Sequence, residues 1–150
     1  MAQNNTPDLT KQPPRSARVR LGGYVILARM LDKGRAILAG KNGEYNYACP
    51  LDQRFLEFAG IDPEALKKEL AAGKGDGHIL EWVQKTSKNK RTDPEIAAWS
   101  DFAERRVPTD AESRSFFNEL QQKSAPNRED IATWFEQLDV DDYVSFGGKA

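Results

Sequence analysis

At 150 residues, with 39% apolar and 30% charged side chains and a formal net charge of −1, the chain has the make-up of one soluble, helix-rich domain able to bury a core. A single cysteine and a single histidine exclude an internal disulfide and a Cys/His zinc cage. No apolar run reaches the roughly 18 residues that span a bilayer, and the start lacks the apolar centre of a signal peptide, so a cytoplasmic protein is expected. Charge is uneven: residues 1–40 carry seven Lys/Arg against two acids, and residues 101–150 six against eleven. Folding of the basic head onto the acidic tail accounts for this more simply than a nucleic-acid partner, since the sequence pI of about 5.9 is far from that of a nucleic-acid-binding domain.

In chain order, residues 1–14 are polar, contain Pro7, Pro13 and Pro14, and read as a disordered or loosely packed arm. Residues 15–150 read as one globular helical domain. Ser16 is placed to cap a helix entrance, with Arg15, Arg18 and Arg20 facing out, and Gly22-Gly23 delays the firm helix to about Tyr24. Tyr24, Leu27, Leu31, Gly34 and Leu38 then fall on one stripe at helical spacing. Arg29, Asp32 and Lys33 fall together on the opposite side, where a solvated, ion-paired face is expected. Arg35 sits at the edge of the apolar arc: its head reaches water, or it meets a carboxylate, Asp52 or Glu44, or an anionic ligand.

Gly40 to Gly43 closes this helix. Residues 44–48 and 142–146 both alternate and carry strand-forming side chains, so they are expected to pair as a small two-stranded β ribbon laid on the helices. Cys49-Pro50 opens a short helix, and Asp62-Pro63-Glu64 opens the next with a cap, a first-turn proline and an acid at the positive end. Gly73 to Gly77 reads as a hinge, with Asp76 capping the helix of Ile79 and Trp82. Asp93-Pro94-Glu95 repeats the start signal. Thr109-Asp-Ala-Glu112 is a capping box, and Ile131 to Leu138 a final amphipathic helix. Each tryptophan (82, 99, 134) stands three residues after an isoleucine, the spacing that anchors a helix to a common core. The fold class expected is mainly α, a single-domain bundle of six or seven helices with that ribbon.

The residues bearing chemistry are few. Cys49, ahead of Pro50, faces helix N–H groups that favour thiolate, and with His78 as base it makes a rudimentary nucleophilic pair; a small buried apolar residue is the ordinary role of a lone cysteine. The Gly73–Gly77 stretch lacks a phosphate-loop pattern. Lys85, Lys88, Lys90 and Arg91 have no interleaved stacking aromatic, which favours a solvated linker. Asp139, Asp141 and Asp142 fail the EF-hand register, so no metal and no cofactor is expected.

The runs Gly22-Gly-Tyr-Val, Leu31-Asp-Lys-Gly-Arg-Ala36, Gly43-Glu-Tyr and Cys49-Pro-Leu-Asp52, with the later Trp99, Trp134-Phe135 and Asp141-Asp-Tyr-Val-Ser-Phe-Gly-Gly148, resemble the uncharacterised bacterial family of domain of unknown function 5069. The likeness covers residues 12–150 and carries no activity with it. The leading expectation is a non-enzymatic module binding a small ligand or a protein, homodimerisation included, through a surface where Arg35, Glu44, Tyr45, Tyr47 and Asp52 converge. Equal weight falls on the same residues as a structural polar network. Two alternatives stand behind these: a small enzyme using Cys49 or the carboxylates Glu44 and Asp52, and a nucleic-acid accessory protein using the basic N-terminal region.

Overall fold

Prolines and short polar caps punctuate the described residues into seven helices. The computed structural model describes residues 6–150. In order they are α1 (Leu27–Leu38), α2 (Pro50–Ala59), α3 (Pro63–Ala71), α4 (Asp76–Thr86), α5 (Asp93–Arg105), α6 (Ala111–Ser124) and α7 (Trp134–Ser145). The start signals act through local hydrogen bonds. Asp62 accepts from the Ala65 N–H to cap α3. Reciprocal capping boxes open α5 (Thr92 with Glu95), α6 (Asp110 with Ser113) and α7 (Thr133 with Glu136), each satisfying amides that a helix start leaves orphaned. The acting cap lies one residue from the expected one at α5 and α6, and Gly75 rather than Asp76 precedes α4. No helix among the described residues is long and apolar enough to cross a membrane.

The main core is built on α1. Leu27, Met30 and Leu31 meet Phe55 and Leu56 of α2, Leu66 and Leu70 of α3, Ile79 and Val83 of α4, Ile96 of α5 and Phe135 of α7. Tyr24 stands edge-on to Phe55 at 5.1 Å between ring centroids, and Phe58 stacks on Trp99 at 4.7 Å. Trp82 and Trp99 pack against this core, whereas Trp134 belongs to a second, smaller cluster with Phe117 and Ile131. The three indoles therefore do not share one core.

Three expectations are corrected. The ribbon of residues 44–48 with 142–146 does not form. The Thr133–Glu136 box starts a helix that runs through Ser145, so Asp142 to Ser145 are helical. Residues 42–48 form a turn instead: Asn42 Nδ2 donates to the Tyr45 carbonyl at 2.9 Å, and Ala48 adopts φ 59°, which a strand cannot accommodate. Leu38, expected on the core stripe, is exposed because α1 leaves the core in its last turn. Most important, the charged side of α1 is not solvated. Nine of its twelve residues are buried, Arg29, Asp32 and Lys33 among them.

Besides the start of α2, which packs on Lys33, two segments cover that side. Of the arm at residues 1–14, residues 1–5 lie outside the described residues, and Leu9 is buried with its N–H donating to the Lys41 carbonyl at 2.8 Å. The Leu9 carbonyl passes so close to Gly43 that a Cβ there would sit 2.7 Å from it, and the glycine's φ of 53° is one that other residues adopt at a cost. Helix α7 closes the remaining side. A charged stripe enclosed this way is tolerable only if each charge is paired.

Candidate functional site

Each charge on α1 has a partner on a different element. Arg29 makes a two-pronged pair with Asp142 of α7, Nη1 to Oδ2 at 2.6 Å and Nη2 to Oδ1 at 3.1 Å, both side chains buried. The Tyr45 hydroxyl donates to Asp142 Oδ1 at 2.9 Å, and the guanidinium lies 5.4 Å from the Tyr45 ring centre. Burial lowers the affinity of Arg29 for its proton, but the bonds to Asp142 outweigh this and hold the guanidinium above its ordinary pKa. Burial, with the Asp142 charge second, pushes the Tyr45 phenol well up, keeping its hydroxyl a donor.

Asp32 receives Arg15 from the preceding segment, at 3.0 Å from Nη2 and 2.9 Å from the backbone N–H. Arg15 also reaches Asp76 of α4 at 2.8 Å, and Arg35 meets the same carboxylate at 2.9 Å while donating to the Lys74 carbonyl. Burial alone would raise the Asp76 pKa, but the two arginines overcome it and hold the carboxyl below its usual value. The carboxylate that Arg35 meets is thus neither Asp52 nor Glu44, and the glycine-rich hinge supplies the dock.

Lys33 completes the set. Its ammonium lies 2.9 Å from Asp52 Oδ2 and donates to Cys49 Sγ at 3.2 Å. Asp52, in the first turn of α2, is fully buried. The ammonium approaches it off the hydrogen-bonding direction, so neither carboxylate oxygen has a directed hydrogen bond among the described residues. Charge compensates this group; hydrogen bonding does not.

Above Arg29 and Lys33 opens a cavity of about 630 Å³ between α1, the 43–49 turn, α2 and the end of α7. Leu9, Leu51, Leu138 and Phe146 supply apolar wall. Arg29, Lys33, Tyr45 and Cys49 bring polar heads and sulfur, and Glu44, Asn46, Asp141 and Ser145 stand exposed at its edge. Desolvation, with Asp142 second, pushes the Asp141 carboxyl up.

Of the residues singled out from sequence, the cavity gathers Glu44, Tyr45 and Cys49, with Asp52 directly behind Lys33. Arg35 and Tyr47 lie elsewhere: Arg35 faces Asp76, and the Tyr47 hydroxyl donates to the Pro63 carbonyl at 2.8 Å. Glu44 is exposed at the edge and Asp52 buried below, so the two carboxylates do not face one space. His78 is exposed on α4, outside the cavity lining and without a hydrogen bond to Cys49. Arg29, Lys33 and Asp142 were missed because a polar stripe at helical spacing looks the same whether wet or enclosed. The available signal was the density of charge on α1 beside small residues, Ala28, Gly34 and Ala36, that admit close neighbours.

Part of the basic run and of the basic head is held by contacts within the fold. Lys90 donates to the last carbonyls of α4, and Arg91 lies over the Phe58 ring at 4.3 Å. Arg18 pairs with Asp139, and Arg20 with Asp101 and Glu104, so the basic head does fold onto acids of the tail. Among the described residues no group of three or more His, Cys, Asp or Glu side chains is arranged to hold a metal.

A helical domain threaded by one charged, enclosed helix, with a cavity over its buried cations, is the class of protein these observations define. The chain belongs to the family described as domain of unknown function (DUF5069), whose profile matches residues 11–144. No curated protein matches the chain.

Proposed function

We propose that the protein is a non-enzymatic small-molecule-binding module whose ligand occupies the cavity above Arg29 and Lys33. The observation that carries this reading is the cavity itself. Its volume of about 630 Å³ falls in the ~300–1,000 Å³ range of small-ligand sites, and it combines apolar wall with a few convergent polar groups, as such sites do. The deep cations already hold Asp142 and Asp52 as counter-ions, while Glu44 and Asp141 stand exposed at the edge. The ligand chemistry that fits is an apolar or aromatic body against Leu51, Leu138 and Phe146, with an amine or other hydrogen-bond donor toward the edge.

Native mass spectrometry after gentle purification tests for a retained ligand, and thermal unfolding against a panel of aliphatic and aromatic amines tests for a captured one. A ligand at a hundred times its Kd stabilises by about 2.7 kcal/mol, a readily measured rise in Tm. Ser145→Trp, at an exposed position on the cavity wall, should abolish that rise while leaving the unliganded Tm close to wild type. No bound mass, together with no saturable shift from any amine, would refute the proposal.

A further inference from the structure

We propose that Cys49 and Lys33 form a peroxide-driven covalent crosslink through a sulfur–nitrogen bond, making the cavity floor a redox-sensitive site. The inference goes beyond the ligand-binding reading and does not rest on it. Cys49 Sγ and Lys33 Nζ already stand in contact at 3.2 Å, and the lysine stem has four rotatable carbons with which to close on the sulfur. Cys49 is only half-buried and lines the open cavity, which gives hydrogen peroxide a route to the sulfur. Asp52, fully buried, lacks a directed hydrogen bond and lies 2.9 Å from the same ammonium. Its charge holds the Lys33 head on the cavity floor beside the sulfur.

The steps balance. The Cys49 thiolate attacks hydrogen peroxide; the S–O bond forms, the O–O bond breaks, sulfur is oxidised, and peroxide leaves as hydroxide. Lys33, which lines the same cavity, passes one proton to that hydroxide, giving water. The freed amine lone pair attacks the sulfenic sulfur; the S–N bond forms and the S–O bond breaks. The departing hydroxide takes a second amine proton and leaves as a second water. One thiolate, one ammonium and one peroxide thus yield one S–N link and two waters. The link removes a positive charge from beneath the cavity, and a thiol reductant reverses it.

The test treats the full folded chain with hydrogen peroxide, quenches it, and maps peptides by mass. The expected result is the Lys33 and Cys49 peptides joined, lighter than their sum by two hydrogens, and separated again by dithiothreitol. Cys49→Ser should give no joined species. Lys33→Met should give none either, its Cys49 passing instead to sulfinic and sulfonic acids. Because Lys33→Met leaves the Asp52 charge alone in the core, Lys33→Met/Asp52→Leu serves as the variant that keeps the fold. Wild-type Cys49 advancing to sulfinic acid with Lys33 free would overturn the proposal, as would a thiol that stays unreacted until the chain is unfolded. A joined mass carrying an additional oxygen would overturn the S–N chemistry.

Discussion

The Arg29–Asp142 pair ties the central helix to the last one, and cutting it should cost more than any single surface change. Asp142→Ala removes the acceptor of two bonds from Arg29 and one from Tyr45. Both partners of the ion pair are almost wholly out of solvent, with 3% and 8% of their side chains exposed. An uncompensated buried charge of this kind costs about 3–5 kcal/mol, and a half-buried hydroxyl left without its acceptor adds about 1 kcal/mol. The expected loss of about 4–6 kcal/mol is a large fraction of the ~5–15 kcal/mol that holds a domain folded. Replacing both partners, Arg29→Met with Asp142→Leu, removes the desolvation penalty along with the attraction. That double variant should return to within about 2 kcal/mol of wild type. Equilibrium unfolding in urea checks both: with an m-value of about 2 kcal/mol/M, Asp142→Ala lowers the midpoint by roughly 2–3 M. A loss below about 1 kcal/mol, or a double variant no more stable than Asp142→Ala, would mean that water reaches the pair and that α1 is not enclosed.

Gly34→Ala gains about 1 kcal/mol of helix propensity, but its Cβ would lie 2.5 Å from Leu70 Cδ1 and 3.1 Å from Tyr47 Cε1. Overpacking of about 1–3 kcal/mol should win, and a Tm at or above wild type sinks the packing argument. Tyr47→Phe loses only the bond to the Pro63 carbonyl, so a drop of about 1 kcal/mol in urea unfolding is expected; a drop several times larger would show a wider role for the hydroxyl. Ala48→Gly relieves a left-handed backbone at φ 59° and should stabilise by about 0.5–1 kcal/mol, read as a raised Tm; a lowered Tm contradicts that. Asp76 is held below its usual pKa of 3.8 by Arg15 and Arg35, so its stabilisation is full above the unfolded pKa and fades as pH falls through the folded one. The stability gap between wild type and Asp76→Asn should therefore be present at neutral pH and narrow as pH falls below the ordinary carboxylate value; a gap that does not narrow in acid assigns the effect to packing.

Which parts of this architecture the chain announces, and which it conceals, follows from the range of the interactions. Asp62-Pro63-Glu64 opens α3 as expected because a cap is settled within four residues: the donor, Ala65 N–H, is already adjacent. At α2 the local signal is Pro50 in the first turn, since Cys49 makes no side-chain cap bond. The failure at residues 142–146 has the same origin in reverse. Their alternation is a local signal, but the Thr133–Glu136 box upstream had already set a helical register that carries through them. The candidate site lies beyond local reach altogether. Arg29 finds Asp142 across 113 residues, and Lys33 finds Cys49 and Asp52 only because α2 folds back against α1. Periodicity established that Arg29, Asp32 and Lys33 share a side of the helix; it has no means of saying what covers that side. Glu44, Tyr45 and Cys49 could be chosen from sequence because they sit in the turn between two recognisable helices. Arg35 and Tyr47 were chosen by the same reasoning and went elsewhere, since a turn places side chains on both of its faces. Enclosure of a charged stripe is a tertiary fact, and it is the one that turns a helix surface into the floor of a cavity.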